Sequence, residues 1–398
     1  MERVYRDIKS CCGCEACANV CPRQAITMQP GTYGFIYPVI DNNLCIDCGL
    51  CQKVCAFQNV PVSSDVPLAV FAAINKNIQI IDNSTSGGVF GALSSIVLGQ
   101  NGIVFGCSWN SDMNPEHICI DKLSDLIRLQ GSKYVQSSMN NTYIRVREYL
   151  KDEKYVLFTG TPCQVAALKS FLGKDYDNLI TADLICHGVP NQAFFKDYIH
   201  YLESKHDGKI IDLNFRDKSN GWSLLAKATF ESNSRKYTRK IPNSSSYYYT
   251  YFLYGDIYRD SCYNCKYAGG TRQGDFTMGD YWGIEKHHPD METRYGVSAL
   301  LVNNKKGMEL LDKLMQYLEL TSSTFEKVRE NNGQLCHPIA MSSKREEILE
   351  LWVNNGSETL ARRFKVSIKE KIVNIIRTYL PYTIKENIKK QYIKIRKS

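Results

Sequence analysis

The sequence predicts a mixed α+β/α/β protein in three parts: a small cysteine-dense N-terminal module, an α/β body with at least one parallel βαβ crossover, and a basic helical C-terminal tail. Three observations carry that expectation. Two cysteine quartets of one spacing crowd residues 11–55, an apolar strand–helix–strand pattern runs through 155–188, and positive charge collects in 361–398. The boundaries drawn from composition are 1–60, 68–150, 151–320 and 321–398, the middle two making up the body.

A chain of 398 residues is long enough to bury more than one core, so its cysteines are not needed as staples. No run approaches the roughly 18 to 20 apolar residues of a bilayer span, and "MERVYRDIKS" lacks the apolar centre of an export signal. Sixteen cysteines in such a chain point to the cytoplasm, where clustered thiols bind metal or react rather than form disulfides. The net charge of +8 is unevenly spread: residues 361–398 hold twelve Lys/Arg against two Asp/Glu, leaving 37 against 39 in residues 1–360. A near-neutral body has no electrostatic footprint for nucleic acid.

In the N-terminal module, "CCGCEACANVCP" reads CxxCxxCxxxCP through Cys11, Cys14, Cys17 and Cys21, and "CIDCGLCQKVC" repeats it through Cys45, Cys48, Cys51 and Cys55. Three thiolates at i, i+3 and i+6 wrap one iron–sulfur cube while the fourth ligates the other cluster, the bacterial-ferredoxin arrangement. One 4Fe-4S cluster is therefore assigned to Cys11, Cys14, Cys17 and Cys55, the other to Cys45, Cys48, Cys51 and Cys21, with Cys12 a spare. Structural zinc, the competing use of CxxC pairs, usually separates its pairs by a longer loop. Ala56 stands where that pattern usually places a proline.

A Pro/Ser-rich linker, 59–67, leads to the body. "LAVFAAI" (68–74) and "GIVFGCSW" (102–109) read as strands around "STSGGVFGALSSIVLG" (84–99), a glycine-led helix start whose bare N–H groups suit a phosphate or whose glycines serve close packing. "YVLFTGTPCQVAALKSFL" (155–172) and "NLITADLICHG" (178–188) form a strand, a Pro-started helix and a second strand. This crossover puts Cys163 and Cys186 at the carboxyl edge of the sheet, where open sheets bind ligands. Cys262 and Cys265 in "CYNCKY" complete a candidate third metal set; a zinc knuckle at 262–265 is the alternative, Cys107 a rival ligand, and Cys119 and Cys336 read as core or surface thiols. His187 is placed to tune that set, whereas His287 and His288 read as surface loop.

The double cluster motif, "SGGVFGAL", "GSKYVQS" (131–137), "GTPCQVAAL", "DLICHGVP" and the CxxC before "GDFTMGDYWG" occur in one order over roughly residues 5–300. Together they resemble the family of beta subunits of coenzyme F420-reducing hydrogenases and dehydrogenases, which also takes in reductases of chlorophyll intermediates and bacterial proteins encoded near polysaccharide genes. The resemblance implies a non-covalent FAD, held in part by Ser84, Thr85, Ser86, Gly87 and Gly88 and by Lys133 and Tyr134. It implies a third 4Fe-4S cluster on Cys163, Cys186, Cys262 and Cys265. Lys133 would sit near the pyrophosphate or the flavin N1 side, or else be a solvated lysine; Asp275 and Asp280 suit a site wall without a catalytic role.

The function so implied is a flavin- and iron–sulfur-dependent oxidoreductase: electrons from a ferredoxin-type donor or redox partner subunit reach a flavin that exchanges hydride with a small-molecule acceptor, such as a coenzyme F420-like deazaflavin. No side chain is assigned as catalytic, since the hydride chemistry belongs to the flavin. The alternative is an electron-relay subunit of a larger redox complex with no substrate chemistry of its own. In the tail, Phe364, Ile368, Ile372, Ile375, Ile376 and Tyr379 follow helical spacing, Pro381 interrupts, and Ile384, Ile388, Tyr392 and Ile395 resume it. Such a basic amphipathic hairpin suits an anionic membrane surface, a partner, or the protein's own body.

Overall fold

The computed structural model describes residues 4–60, 66–384 and 387. Near the N-terminus, β1 (Ile26–Pro30) and β2 (Ile36–Ile40) pair antiparallel between two short helices, Ala16–Val20 and Leu50–Lys53, which carry cysteines of the two quartets. Each helix starts from a left-handed residue, Glu15 (φ 62°) and Gly49 (φ 73°). For a glutamate that conformation is uncommon. It is held by the buried Glu15 carboxylate, which accepts from the Met139 and Asn140 amides of the body at 3.0 and 3.1 Å.

The body is built on eight strands: β3 (Ala69–Asn75), β4 (Ile103–Trp109), β5 (Pro115–Ile120), β6 (Val156–Gly160), β7 (Leu179–Leu184), β11 (Phe276–Asp280), β12 (Ser298–Val302) and β13 (Leu318–Ser322). A second, three-stranded antiparallel sheet intervenes in the chain: β8 (Lys209–Asn214), β9 (Leu225–Ser232) and β10 (Arg235–Pro242). The large sheet runs β13-β3-β12-β11-β7-β6-β4-β5, the neighbouring strands β11, β7, β6 and β4 mutually parallel and every other adjacent pair antiparallel.

Alternation along these strands shows that both faces are covered. Phe105, Val156 and Phe158 pack with the helices Thr142–Lys151 and Pro162–Leu172, while Val104, Leu157 and Ile180 pack with the helix Val89–Leu98. Cys12, Cys14, Ala56 and Phe57 share the first of these clusters, so the cysteine module docks on one face of the sheet. The β8–β10 sheet and the helices Gln192–His206 and Tyr247–Tyr254 form a further, aromatic core.

The expected crossover is present: β6 and β7 are parallel neighbours, from Val156 opposite Leu179 to Gly160 opposite Asp183, joined by the helix Pro162–Leu172. The stretch 84–99 divides into a turn, 84–88, and the helix Val89–Leu98. Beyond residue 317 the first element is not a helix, because β13 closes the sheet against β3. Phe364 is not part of the isoleucine stripe; it lies between the helices Arg345–Arg363 and Ile368–Tyr379 and meets Tyr251 edge-on at 5.8 Å. Linker residues 61–65 and Ile388, Tyr392 and Ile395 lie outside the described residues. Among the described residues no helix is long and apolar enough to cross a membrane.

Candidate functional site

The N-terminal thiols gather in two groups, each taking in one cysteine from the other stretch. Burial pushes the Cys11 thiol up to about 11, and the Cys14 and Cys55 thiols beside it push the same way. Cys17 is raised by burial and then by Cys14, Cys11 and Cys55. These four therefore share one neighbourhood although Cys55 is far along the chain. Cys21, Cys45, Cys48 and Cys51 line a second cavity with Pro22, Ile26 and Ile40, and the Cys51 thiol is raised by burial and by Cys21 and Cys48.

A third set is assembled by the fold of the body. Val156–Gly160 is buried throughout, and the strand hands over to a helix whose start is closed by a capping box, Thr161 with Gln164, and by Pro162 at the first position. That geometry fixes Cys163, whose sulfur lies 3.1 Å from the Thr161 hydroxyl. Cys186 follows the end of β7, and Cys262 and Cys265 come from the segment 260–265 before β11. All four line one cavity with His187, Thr161, Tyr267 and Arg272. Burial raises Cys186 and takes Cys262 to about 12 and Cys265 to about 11, each also raised by its neighbouring thiols.

Buried thiols that raise one another in this way are poor thiolates until a cation offsets their charge, which is what iron supplies to its ligands. No three or more His, Cys, Asp or Glu side chains among the described residues close on a single point as a lone ion requires. Each set supplies four soft thiolate donors, one for each iron of a 4Fe-4S cube. The donor sets thus fit clusters.

Two residues between the sets escaped sequence reasoning. Cys12, expected to be spare, lines the third cavity and hydrogen-bonds with both Cys14 and Cys163, the thiol pair linking the first quartet to the body. That bond is the largest influence bringing Cys163 down to about 7. Arg259 is 1% exposed and donates to the carbonyls of Cys11 (3.2 Å) and Ile36 (2.9 Å) and to Gln136 Oε1 (3.0 Å). Its guanidinium favours the charged forms of Cys11, Cys163 and Cys262 alike. Cys107 does not line the third cavity; its sulfur lies near Lys133 and Ser137 instead.

The turn 84–88 and the loop 131–134 meet. Thr85 Oγ1 lies 2.9 Å from Ser132 Oγ and accepts from the Ser132 amide at 2.8 Å. The hydroxyls of Ser84 and Ser86 donate to the Ile80 and Val297 carbonyls, so the serines build the turn rather than face outward. A Cβ on Gly87 would stand 2.1 Å from the Ala73 carbonyl oxygen, and Gly88 begins the helix at φ +84°. Close packing is therefore the observed duty of these glycines. Lys133 is half-buried and folds back on its own segment: its ammonium donates to the Gln130 carbonyl at 2.7 Å and the Arg128 carbonyl at 3.3 Å, and burial lowers its pKa to about 8. Tyr134 stacks on Phe252 at 4.4 Å and accepts from Arg216 at 3.2 Å.

Arg216 and Lys218, which sequence reasoning passed over, bring charge to this region. Arg216 pairs with Asp280 at 2.6 Å and lies over the Trp282 ring at 5.2 Å, Trp282 itself stacking on Trp222 at 4.9 Å. The buried Lys218 ammonium donates to the Ile81 and Ser86 carbonyls at 2.8 and 2.6 Å, and burial lowers it to about 7. His187 joins the two regions: it lines the third cysteine cavity, and its pKa, lowered first by burial, responds to Asp280 and Arg216. Asp275, by contrast, is structural, accepting from the Thr181 amide and hydroxyl at 2.7 and 2.9 Å. The only signal for Arg216 and Lys218 was a basic turn, "FRDKSNGW", with no chemistry of its own.

Residues 10–59 match the 4Fe-4S dicluster domain, and residues 153–327 match the C terminus of the coenzyme F420 hydrogenase/dehydrogenase beta subunit. Residues 153–327 thus carry the C-terminal domain of coenzyme F420 hydrogenase/dehydrogenase beta subunits. All four body cysteines fall inside the beta-subunit match, and both N-terminal quartets inside the dicluster match, so the protein carries iron–sulfur clusters. The chain is similar to a subunit of the F420H2 dehydrogenase of Methanosarcina mazei, 23% identical over 178 residues. That similarity takes in 42% of this chain and 49% of the relative, so it spans about half the relative's length. A chain of the F420-reducing [NiFe] hydrogenase complex from Methanosarcina barkeri aligns over 77% of this chain and 96% of its own, at 15% identity and a TM-score of 0.45.

Proposed function

We propose that the protein is an iron–sulfur flavoprotein oxidoreductase that takes single electrons from a ferredoxin-type donor or partner subunit and delivers hydride to a soluble acceptor, a coenzyme F420-like deazaflavin or another organic molecule. The observation that carries this reading is the continuous run of thiols from the first quartet through Cys12 to Cys163 and the body set. In this reading one cluster is held by Cys11, Cys14, Cys17 and Cys55, a second by Cys45, Cys48, Cys51 and Cys21, and a third by Cys163, Cys186, Cys262 and Cys265. When bound, the clusters supply one-electron transfer and FAD the exchange between one- and two-electron chemistry.

The chain's own residues set the conditions. Arg259 places a fixed positive charge between the first and third sets, lowering the cost of concentrating thiolate charge in a buried place. Tyr267 and Phe57, edge-on at 6.4 Å, line the cavity of the body set with aromatic surface. The flavin reading is supported by the donor set beyond His187: Lys218, a buried amine held by carbonyls, suits a phosphate, whose charge would favour its protonated form. The Trp222 indole N–H is buried without a hydrogen-bond partner among the described residues and suits a ring acceptor. The turn 84–88, Lys133 and Tyr134 would frame the same site.

The test is the anaerobically purified chain with dithionite or a reduced ferredoxin as donor and coenzyme F420 as acceptor. Flavin released on denaturation together with deazaflavin reduction supports the proposal. Cluster absorbance with no releasable flavin and no reduction of any organic acceptor contradicts it and leaves an electron-relay subunit; the dehydrogenase relative is itself named as a subunit.

A further inference from the structure

The helix Ile368–Tyr379 is mounted with its polar side inward. Among its described side chains Asn374 and Thr378 are the buried ones, at 5% and 3% exposure. Asn374 donates to Ser245 Oγ at 2.9 Å and accepts from Ser244 Oγ at 2.8 Å, and the Asn220 amide donates to the Thr378 carbonyl. On the other side Ile368, Ile372, Ile375, Ile376 and Tyr379 are 44 to 78% exposed. Their spacing of i, i+4, i+7, i+8 and i+11 makes one continuous apolar stripe. A helix that belongs only to its own protein turns such a stripe inward; this one does the reverse.

The orientation is fixed at both ends. A capping box, Ser367 with Glu370, starts the helix, and just beyond it Tyr382 packs on Gly221 with the Arg294 guanidinium 5.5 Å above its ring. Lys365, Lys369 and Lys371 are exposed beside the stripe, and residues 361–398 carry twelve Lys/Arg against two Asp/Glu. Charge selects among occupants for this face. A second copy would bring an equally positive segment against the first and be repelled. A nucleic acid would satisfy the lysines and leave the isoleucines in water. An anionic bilayer satisfies both: lysines reach lipid phosphates, isoleucines enter the acyl boundary, and Tyr379 sits at the headgroup level.

We propose that this helix is an amphipathic anchor lying in the surface of an anionic phospholipid bilayer, which makes the protein a peripheral membrane protein. The experiment is flotation of the full-length, cluster-loaded chain with phosphatidylcholine vesicles, with and without phosphatidylglycerol. Binding is expected to anionic vesicles, weakened about tenfold or more by high salt or by neutral lipid. Ile372→Ser/Ile376→Ser is expected to lose about tenfold in affinity with iron content and circular dichroism unchanged, and Lys369→Glu/Lys371→Glu to lose binding while keeping the isoleucines. The proposal is overturned if the full chain stays with the unbound fraction. It is equally overturned if the isoleucine variant floats like the parent, or if that variant abolishes instead a dimer or a nucleic-acid complex seen without lipid.

Discussion

The N-terminal module and the body solve the same problem of gathering buried thiols by opposite routes. Each N-terminal quartet spaces its cysteines over eleven residues, Cys11 to Cys21 and Cys45 to Cys55, so short-range turns set most of its geometry. The body set draws on residues 163, 186, 262 and 265, and nothing local brings them together; a parallel crossover and a later segment do. A site of the first kind survives distant changes in the fold, whereas one of the second kind exists only while the sheet does. Cys12 and Arg259 lie where the two meet.

That contrast sets the order of expected effects. Cys186→Ser is expected to remove about four irons and lower acceptor reduction by two orders of magnitude or more, with the electron paramagnetic resonance of the dicluster module retained. Cys48→Ser should do the converse, removing N-terminal iron while iron bound by the body stays; equal loss of all iron in either variant would break the distinction between the two regions. Gly87→Ala, whose Cβ would meet the Ala73 carbonyl at 2.1 Å, is expected to destabilise the body by about 3 kcal/mol in denaturant unfolding. It should leave the absorbance of the N-terminal clusters intact.

Removing the metal sharpens the comparison through pH. Cys11, Cys262 and Cys265 have folded-state pKa values raised to about 11, 12 and 11, above the ordinary thiol value, so the neutral forms are favoured by the fold. Their contribution to the metal-free chain is whole below the unfolded thiol value of about 8.5 and is lost as pH climbs through the folded values. Thermal midpoints of the metal-free chain should fall between about pH 9 and 11, more steeply in the parent than in Cys262→Ala/Cys265→Ala. The smallest effect is expected of Cys12→Ser. Iron content should be unchanged, while the reduction potential of the body cluster shifts by tens of millivolts, because the variant replaces a thiol against Cys163 without removing a ligand.

The legible part of the molecule follows the same division. The grouping of the N-terminal cysteines and the β6–helix–β7 unit could be read because spacing and periodicity are local signals, and Cys163 was placed by its own strand end. Cys12 could not: the sequence shows one thiol too many, and only docking of the module on the body gives it neighbours. Arg259 and Lys218 are buried cations whose partners are mostly backbone carbonyls, and backbone partners leave no mark in the sequence. The serines of 84–86 misled in the other direction, since their hydroxyls serve the turn itself. The tail's isoleucine period was plain, but that it faces away from the body depended on Asn374 and Thr378 finding partners in distant turns.

The central claim is that the body holds a cluster of its own beside the two of the N-terminal module. Iron and acid-labile sulfide per chain, measured on oxygen-free protein, test it most directly. The account predicts about twelve irons and twelve sulfides, falling to about eight of each in Cys163→Ser. About eight in the parent, unchanged by that substitution, would contradict it.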